Sequence, residues 1–416
     1  MLSLFLFSCA TYQYKPLKEN LNYFKLPDKP LTPEKLAYLS IKYNPELKVE
    51  RAKYSIKKAI LINNKLFENP QFSGDIQIPA GGITIGTTTG FDSGLSWSIN
   101  KVFTYSLYKK VSNFKEKQYY YEIAWKEWLT AEKTKETAYE IIIFKKQILI
   151  LKTLLKSISY HLKKAKKFSQ KGLLTSDYIF TLQNQYLQAE KFLNDLKTKL
   201  IKTELTLKEL IGISPTEDLK ITADIKNFEN IKIPEYSKII SNLIRNRPDI
   251  IALKQAYESN ENLLHASIIE QIPDIGLSFT YSRDNGNLYT VNPGISISLP
   301  VFNHNQAKIK KFKAKREEIF HTYNQRIFKA ETNIYKILKL LKEYKKNIKI
   351  LTSNISNFQI QLNILSDAIK IGEESILNYN EIKNKILESQ IKLLSAKANL
   401  IRLIIALELE TGGTIK

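Results

Sequence analysis

The chain has 416 residues, of which 43% are hydrophobic and 25% are charged, so it can build a folded core and is not an intrinsically disordered chain. With one cysteine and four histidines it lacks the residues for a disulfide framework or a cysteine-based zinc cluster, and we expect no metal site and no cofactor. Basic residues exceed acidic ones by 22, but all except seven of the 63 are lysines scattered along the chain. Because base reading and bidentate phosphate binding favour arginine, we expect no nucleic-acid partner.

The first eight residues are almost wholly apolar and are followed by Cys9. This order resembles a bacterial lipobox, in which the cysteine thiol is acylated, for example with palmitate, after the signal is cleaved. The segment is short and has no basic start, so it is interpreted either as a truncated signal or as a chance buried cysteine. We favour a lipid anchor at Cys9, because residues up to Pro30 are typical of an extended tether and an oxidising compartment fits the lack of other cysteines.

An internal repeat of about 200 residues organises the rest of the chain. Asn44-Pro45-Glu46-Leu47 recurs as Arg247-Pro248-Asp249-Ile250, and Gly172 and Gly212 recur as Gly372 and Gly412. We therefore divide the chain into a tether at residues 1–30, a first repeat at 31–230 and a second repeat at 231–416. Each repeat is predicted to hold a helix, two strands and a coiled-coil hairpin, so the chain is one duplicated unit and not several domains.

Each repeat opens with a predicted helix. Thr32-Pro33 combines a cap with proline at the first helical position, and the helix should continue to about Glu68, before Pro70. Its counterpart should start near Pro234 and stop before Pro273. We expect an interruption at Arg247-Pro248, because the residue before a proline disfavours helical geometry.

Alternating segments follow in both repeats. In the second repeat, apolar residues alternate with small polar ones from Ile275 to Ser282, then a turn at Asp284 to Asn287 leads to a second alternating segment from Ile295 to Leu299. The first repeat has similar segments at Gly74–Ile78 and Leu95–Ile99. Such alternation is typical of a sandwich strand that faces a core and also of a transmembrane barrel strand. Four strands cannot close a barrel, so the barrel interpretation requires an oligomer.

The longest segments are helical. From Tyr105 to Lys171 the chain has no proline or glycine, which corresponds to about 100 Å of helix. Apolar residues in this segment, in residues 341–369 and in both returning helices follow alternating spacings of four and three, which predicts antiparallel coiled-coil hairpins. Gly172 and Gly372 suit left-handed turn positions, followed by caps near Thr175 and Ser375. By length, the opening and returning helices should stack end to end along the long helix.

These features together resemble the TolC family of bacterial outer membrane efflux proteins. The resemblance rests on both Pro-containing repeats, the four glycines and Gly294-Ile295-Ser296-Ile297-Ser298-Leu299-Pro300-Val301-Phe302. It implies a mainly helical fold with a β-barrel portion: three chains of four strands form a 12-stranded outer membrane barrel, and their hairpins form a tunnel through the periplasm. It also implies a passive homotrimeric duct joined to an inner membrane pump by a periplasmic adaptor. Cys9 matches the anchor of lipoprotein members, in the outer membrane of a bacterium with two membranes.

The resemblance also implies two kinds of site residue. Adaptor docking falls on the hairpin tips, which are Lys171, Gly172, Leu173, Leu174 and Thr175 in the first repeat and Ile371, Gly372, Glu373, Glu374 and Ser375 in the second. Some family members narrow the tunnel with acidic residues at positions that are occupied here by Asn378 and Glu381. One carboxylate is absent, but three copies of Glu381 could still form an acidic ring.

The sequence distinguishes between three classes of function. An enzyme is not expected, because the sequence contains no Gly-rich phosphate loop, GxSxG or HExxH motif. A coiled-coil scaffold without a transport role would explain the helices but not the duplicated alternating segments. Within the preferred transport role, the compact length and the lipobox favour export of small molecules or metal ions, and the duct of a type I protein secretion system is the alternative.

Overall fold

The computed structural model describes residues 12–17, 23–82 and 86–414 of the chain, so the proposed anchor Cys9 lies outside the described residues. The described residues form a mainly helical fold with one four-stranded antiparallel sheet, as the sequence predicts. The helices are α1 (Pro33–Tyr43), α2 (Pro45–Ile62), α3 (Asn100–Ser169), α4 (Ser176–Ile211), α5 (Tyr236–Asn246), α6 (Pro248–Ile269), α7 (Gln306–Lys370) and α8 (Ile376–Thr411). The strands are β1 (Gln71–Gln77), β2 (Gly90–Ser98), β3 (Asp274–Arg283) and β4 (Tyr289–Ser298).

The order of elements is the same in both repeats: two helices, two strands, a long helix and a returning helix. None of the helices in the described ranges has an apolar stretch of the length needed to cross a membrane.

The first opening helix is not continuous, and its prediction as one helix as far as Glu68 was wrong. The chain breaks at Asn44, whose side-chain Oδ1 accepts a hydrogen bond from the Leu47 backbone N–H at 2.9 Å and caps α2. Pro45 then occupies the first position of α2, so Asn44-Pro45 interrupts the helix for the same reason as Arg247-Pro248 in the second repeat. A short 3-10 turn, Asn63–Lys65, ends the segment.

The returning helices end against these breaks. Asn44 Nδ2 donates a hydrogen bond of 2.8 Å to the Leu210 carbonyl near the end of α4. Gly212 follows with a left-handed φ of 78° and lies against the Tyr43 backbone. In the second repeat, Gly412 packs in the same way against the backbone at Asn246 and Arg247. The predicted end-to-end stacking is therefore correct for α4 with α2 and for α8 with α6.

Helix α1 is not part of that stack and packs beside it. Its Leu36 and Leu39 belong to a buried cluster with Ala138 of α3 and Leu207 of α4. The chain before α1 joins the same region, because Leu31 pairs with Ile221 in an isolated parallel bridge. This cluster lies near the middle of α3, at the level where the two stacked helices meet.

The helices form a wall of four parallel columns. The pairs in contact place the columns in the order α2 with α4, then α3, then α6 with α8, then α7. The sheet has the matching order β1-β2-β3-β4. Within the described residues, the first and last columns have no neighbour on their far sides, and β1 and β4 are unpaired edge strands.

The hairpins are coiled coils with buried seams, as predicted. In the first hairpin, Leu151 and Ile158 of α3 pack against Leu193 and Leu196 of α4. Each hairpin turns at a glycine with positive φ, 74° at Gly172 and 79° at Gly372. The second turn is capped by Ser375, whose hydroxyl accepts a hydrogen bond of 3.1 Å from the Leu377 N–H.

Two of these glycines differ in their surroundings, which leads to a prediction. At Gly212 a Cβ would lie 2.6 Å from the Tyr43 carbonyl oxygen, whereas at Gly172 nothing lies within 4 Å of a Cβ. Both have left-handed backbone, so alanine should cost about 1–2 kcal/mol at Gly172 and about 1–3 kcal/mol more at Gly212. Denaturant unfolding of Gly172→Ala and Gly212→Ala measures the difference. Equal losses of stability in the two variants would show that the backbone at Tyr43 shifts to accommodate the new Cβ at no cost in free energy.

Candidate functional site

The sheet has one apolar face and one polar face. Directly paired residues of an antiparallel sheet lie on the same face, and the observed register unites Phe72 with Leu95, Leu95 with Phe279, and Leu277 with Ile295. These side chains are exposed, from 41% at Leu277 to 74% at Phe72. No other described element covers this face, so the sandwich interpretation is wrong.

The opposite face carries only small and polar residues. It includes Asp75 and Asp92, which are directly paired, and the Gln77 side chain donates to Asp92 at 2.6 Å. On this face Gly276 pairs with Ser296, and Gly294 pairs with Ser278. A Cβ at either glycine would collide with the hydroxyl of the paired serine, so only glycine fits there. In the four strands, this face contains aspartates but no lysine or arginine.

The two outer columns carry exposed apolar residues on the sides that face away from the wall. On each helix they lie opposite the buried residues, at spacings that are mostly close to multiples of 3.5. We call these residues the edge stripes: Val49, Ile56 and Ile60 on α2, Phe180, Leu187, Ile201 and Leu205 on α4, and Phe328, Tyr335, Ile360 and Ile364 on α7. Leu187 is 59% exposed and Ile364 is 63% exposed. Their spacing is that of a coiled-coil seam, and within the described residues no helix covers them.

The predicted tip residues lie together at the end of the wall farthest from the sheet. The backbone runs from Ser169 to Ser176 at one tip and from Lys370 to Ile376 at the other. Both tips present large apolar side chains to solvent, with Leu173 66% and Ile371 70% exposed.

The predicted constriction residues lie just above the second tip. The Asn378 side chain donates a hydrogen bond to the Glu374 carboxylate. Glu381 forms an ion pair of 2.8 Å with Lys385, and both side chains are about half exposed. The pKa of the nearby buried His161 is lowered by burial, and the charge of Glu381 opposes this shift. The imidazole Nε2 of His161 lies 3.1 Å from the Tyr178 hydroxyl. Because Lys385 pairs with Glu381, it offsets part of the negative charge that a ring of three Glu381 side chains would provide.

A buried ionic network joins the columns where the stacked helices meet. Arg247 is almost fully buried and forms two hydrogen bonds with Asp249, at 2.9 and 2.8 Å. It also pairs with Glu410 of α8 and stacks on the Trp125 ring of α3, 4.7 Å from its centroid. Arg326 of α7 reaches the same Asp249 at 3.0 Å. The Arg247-Pro248-Asp249 segment therefore links three columns: α3, the column of α6 with α8, and α7.

A second buried cluster connects α3 with α8. Lys135 lies between Glu132 and Glu408, 2.7 Å from a carboxylate oxygen of each. Burial raises the pKa of Glu132 to about 7, although Lys135 opposes this shift. Sequence reasoning missed this cluster, because an acidic and a basic residue on a long helix usually mark its solvated face.

The raised pKa of Glu132 predicts a pH dependence of stability. The folded state binds this proton more tightly than the unfolded state, whose carboxyl titrates near 4.5, so the free energy of unfolding should fall as pH rises from about 4.5 through 7. Glu132→Gln should remove this loss and be more stable relative to wild type at pH 8 than at pH 5, by about 2–3 kcal/mol. Denaturant unfolding of both proteins at the two pH values measures this. A constant difference between the proteins would contradict it.

No protein-family model matches the chain, and no curated protein sequence matches it. Solved structures do match. A channel described as CusC is 17% identical with a TM-score of 0.75, covering 97% of this chain and 99% of that one. The outer membrane protein VceC from Vibrio cholerae is 14% identical with a TM-score of 0.73, covering 92% and 97%. The Campylobacter jejuni CmeC outer membrane channel is 16% identical with a TM-score of 0.70, covering 98% and 94%. The chain therefore has the fold of the TolC-family outer membrane channels.

Proposed function

We propose that this protein is the outer membrane exit duct of a tripartite efflux system, and that it works as a homotrimer with a periplasmic adaptor and an inner membrane pump. The observation that carries the proposal is the combination of a two-faced sheet with unpartnered edges along the whole wall. The similarity to solved outer membrane channels supports it.

The sheet supports a position in the membrane. Its apolar face suits lipid and its polar face suits a water-filled lumen, which is the alternation of a transmembrane barrel. Strands of seven to ten residues approach the length needed to span a bilayer when tilted. Three copies supply twelve strands, and pairing β4 of one copy with β1 of the next removes every free edge.

The edge stripes support the same ring in the helical part. When copies associate, the stripe of α7 meets the stripes of α2 and α4 of the next copy, and two exposed seams become one buried seam. A coiled-coil scaffold without a transport role would leave the apolar face of the sheet in water, which makes it the weaker candidate.

The remaining assignments belong to the same proposal. The exposed tips at Leu173 and Ile371 would contact the adaptor, Glu381 would line the narrow end of the tunnel, and Cys9 would carry the lipid anchor. The compact length favours small molecules or metal ions as cargo over secreted polypeptides. The duct is passive in this proposal, with no catalytic residue and no cofactor.

Reconstitution into planar bilayers tests the proposal. The purified protein should be a trimer in detergent and should form open or openable channels with discrete conductance steps. A water-soluble monomer that adds no conductance would refute it. The cargo is tested separately by deleting the gene and measuring retention of drugs, metal ions and secreted proteins in the cell.

A further inference from the structure

A cluster of positive charge lies where the helices leave the sheet. The start of α7, from Gln306 to Arg316, contains six cationic side chains and no acidic one. Cations in the first turns of a helix are unfavourable, because the helix dipole places partial positive charge there. This effect falls off within the first turn, so it opposes Lys308 and does not bear on the other five. Three of the six have acidic partners: Lys308 with Glu270, Lys315 with Glu318, and Arg316 with Glu261.

Besides Lys311, which points to another side of α7 than its two lysine neighbours, four lysines near this end are exposed and form no ion pair within the described part of the chain. They are Lys310 and Lys313 of α7 and Lys109 and Lys110 of α3, and we call them the lysine collar. Lys310 and Lys313 lie about 6 and 10 Å along α7 from its first residue, and the α3 pair lies about 14 Å along α3. All four are therefore close to the sheet, far from the tips.

The lysines of α3 share a face with exposed apolar residues. Val102 and Phe103 are 51% and 50% exposed, and each precedes a collar lysine by seven residues, which is two helical turns. Because α3 is an inner column with neighbours on both sides, this face is not one of the free edges of the wall. On this face of α3 the apolar side chains lie near the sheet, and the lysines lie about 10 Å farther from it.

Other elements repeat this order around the junction. Leu299 and Phe302 precede α7 and are 74% and 93% exposed, and Ile268 and Ile272 at the end of α6 are 44% and 50% exposed. Leu299 continues the alternation of Ile295 and Ile297, so the apolar face extends past the end of β4, and the collar lies farther from the sheet than these exposed apolar side chains.

The geometry points to a lysine collar that binds the headgroups of anionic phospholipids in the membrane leaflet on the helix side. This inference rests on the proposed function, because it requires the sheet to lie in the bilayer. Lysine ammonium groups on flexible stems reach back towards a membrane surface, and each basic residue near an anionic surface adds attraction that falls off within a Debye length of about 8 Å. Twelve such lysines would surround a trimer, at the depth where headgroups begin.

Quenching of Trp97 by brominated lipids tests the inference. Trp97 is on the apolar face at the helix end of β2, and its Nε1 donates to the Glu68 carbonyl at 2.8 Å. The other tryptophans, Trp125 and Trp128, are about 40 Å farther along α3, beyond the reach of bromine in the bilayer. Trimers are reconstituted into vesicles of phosphatidylcholine and phosphatidylglycerol in which one lipid or the other carries bromine.

We expect wild type to prefer phosphatidylglycerol about threefold to tenfold, with a preference that weakens as salt is raised. A variant with Lys109, Lys110, Lys310 and Lys313 all replaced by glutamine should show no preference. The matched control carries glutamine at four exposed lysines on the same two helices but far from the sheet: Lys152, Lys156, Lys346 and Lys349. It should behave as wild type.

The possible outcomes separate the inference from the proposed function. Equal quenching by both lipids in wild type, or an unchanged preference in the collar variant, would overturn the collar while leaving the sheet in lipid. Loss of the preference on adding inorganic phosphate, but not sodium chloride of equal ionic strength, would show that the lysines bind free phosphate and would also overturn it. Absence of quenching by any brominated lipid would refute the membrane position of the sheet, and with it the proposed function.

Discussion

Replacing Leu187 with glutamate is expected to prevent the copies from associating. Leu187 is 59% exposed in the single chain and lies at the centre of the α4 edge stripe, opposite the buried seam. In the trimer it would be covered by α7 of the next copy, so the variant loses about 2–3 kcal/mol of apolar burial per copy and also buries an unpaired carboxylate. Light scattering in detergent should report monomers, and channel conductance should be absent.

The neighbouring Gln188 provides a matched control. It is also exposed, but it points about 100° away around the helix and lies outside the stripe. Gln188→Glu adds the same charge and should remain a trimer with normal conductance. Circular dichroism should show unchanged helix content in both variants, because neither side chain belongs to the core of the chain. A trimeric Leu187→Glu variant would show that this side of α4 is not a subunit interface.

Replacing Arg247 with alanine is expected to destabilise the folded chain by about 3–5 kcal/mol. The Arg247 side chain is 5% exposed, and its removal leaves the buried carboxylate of Asp249 and the partly buried carboxylate of Glu410 without their main partner. The same change removes the guanidinium from the Trp125 ring. Denaturant unfolding gives the loss of stability, and tryptophan fluorescence reports the disturbed ring.

Arg326 allows the effect of burial on stability to be separated from the effect of charge in this network. It binds the same Asp249, but its side chain is 42% exposed. Because an exposed ion pair contributes little, Arg326→Ala should cost no more than about 1 kcal/mol. Similar losses for the two alanine variants would mean that the number of charges around Asp249 matters and that the burial of Arg247 does not.

The parts of the fold that depend on local rules could be predicted from the sequence. The absence of glycine and proline set the extent of α3, and Gly172 and Gly372 marked the turns because few other residues accept a left-handed backbone. The break at Asn44 follows from the same proline rule that predicted the break at Arg247, and the error was to apply it in only one repeat.

The site depends on contacts that no local pattern contains. Lys135 meets Glu408 across 273 positions and Arg247 meets Glu410 across 163, so neither cluster can be read from spacing along a helix. The direct pairing of Asp75 with Asp92 requires the register of β1 and β2. The edge stripes were hidden for another reason: an apolar heptad looks the same whether its partner belongs to the same chain or to another copy.

The alternation of continuous and divided columns has a mechanical consequence. Helix α3 runs for 70 residues and α7 for 65 without interruption, about 100 Å each, from a strand to a tip. The columns beside them are jointed where α4 meets α2 and where α8 meets α6. Bending can therefore be absorbed at the joints, at mid-height, while the unbroken rods carry a displacement of either tip directly to the strand at their other end. A closed ring of three copies would contain six continuous helices that alternate with six jointed columns. Movement at the narrow end would therefore be transmitted to the rim of the membrane pore.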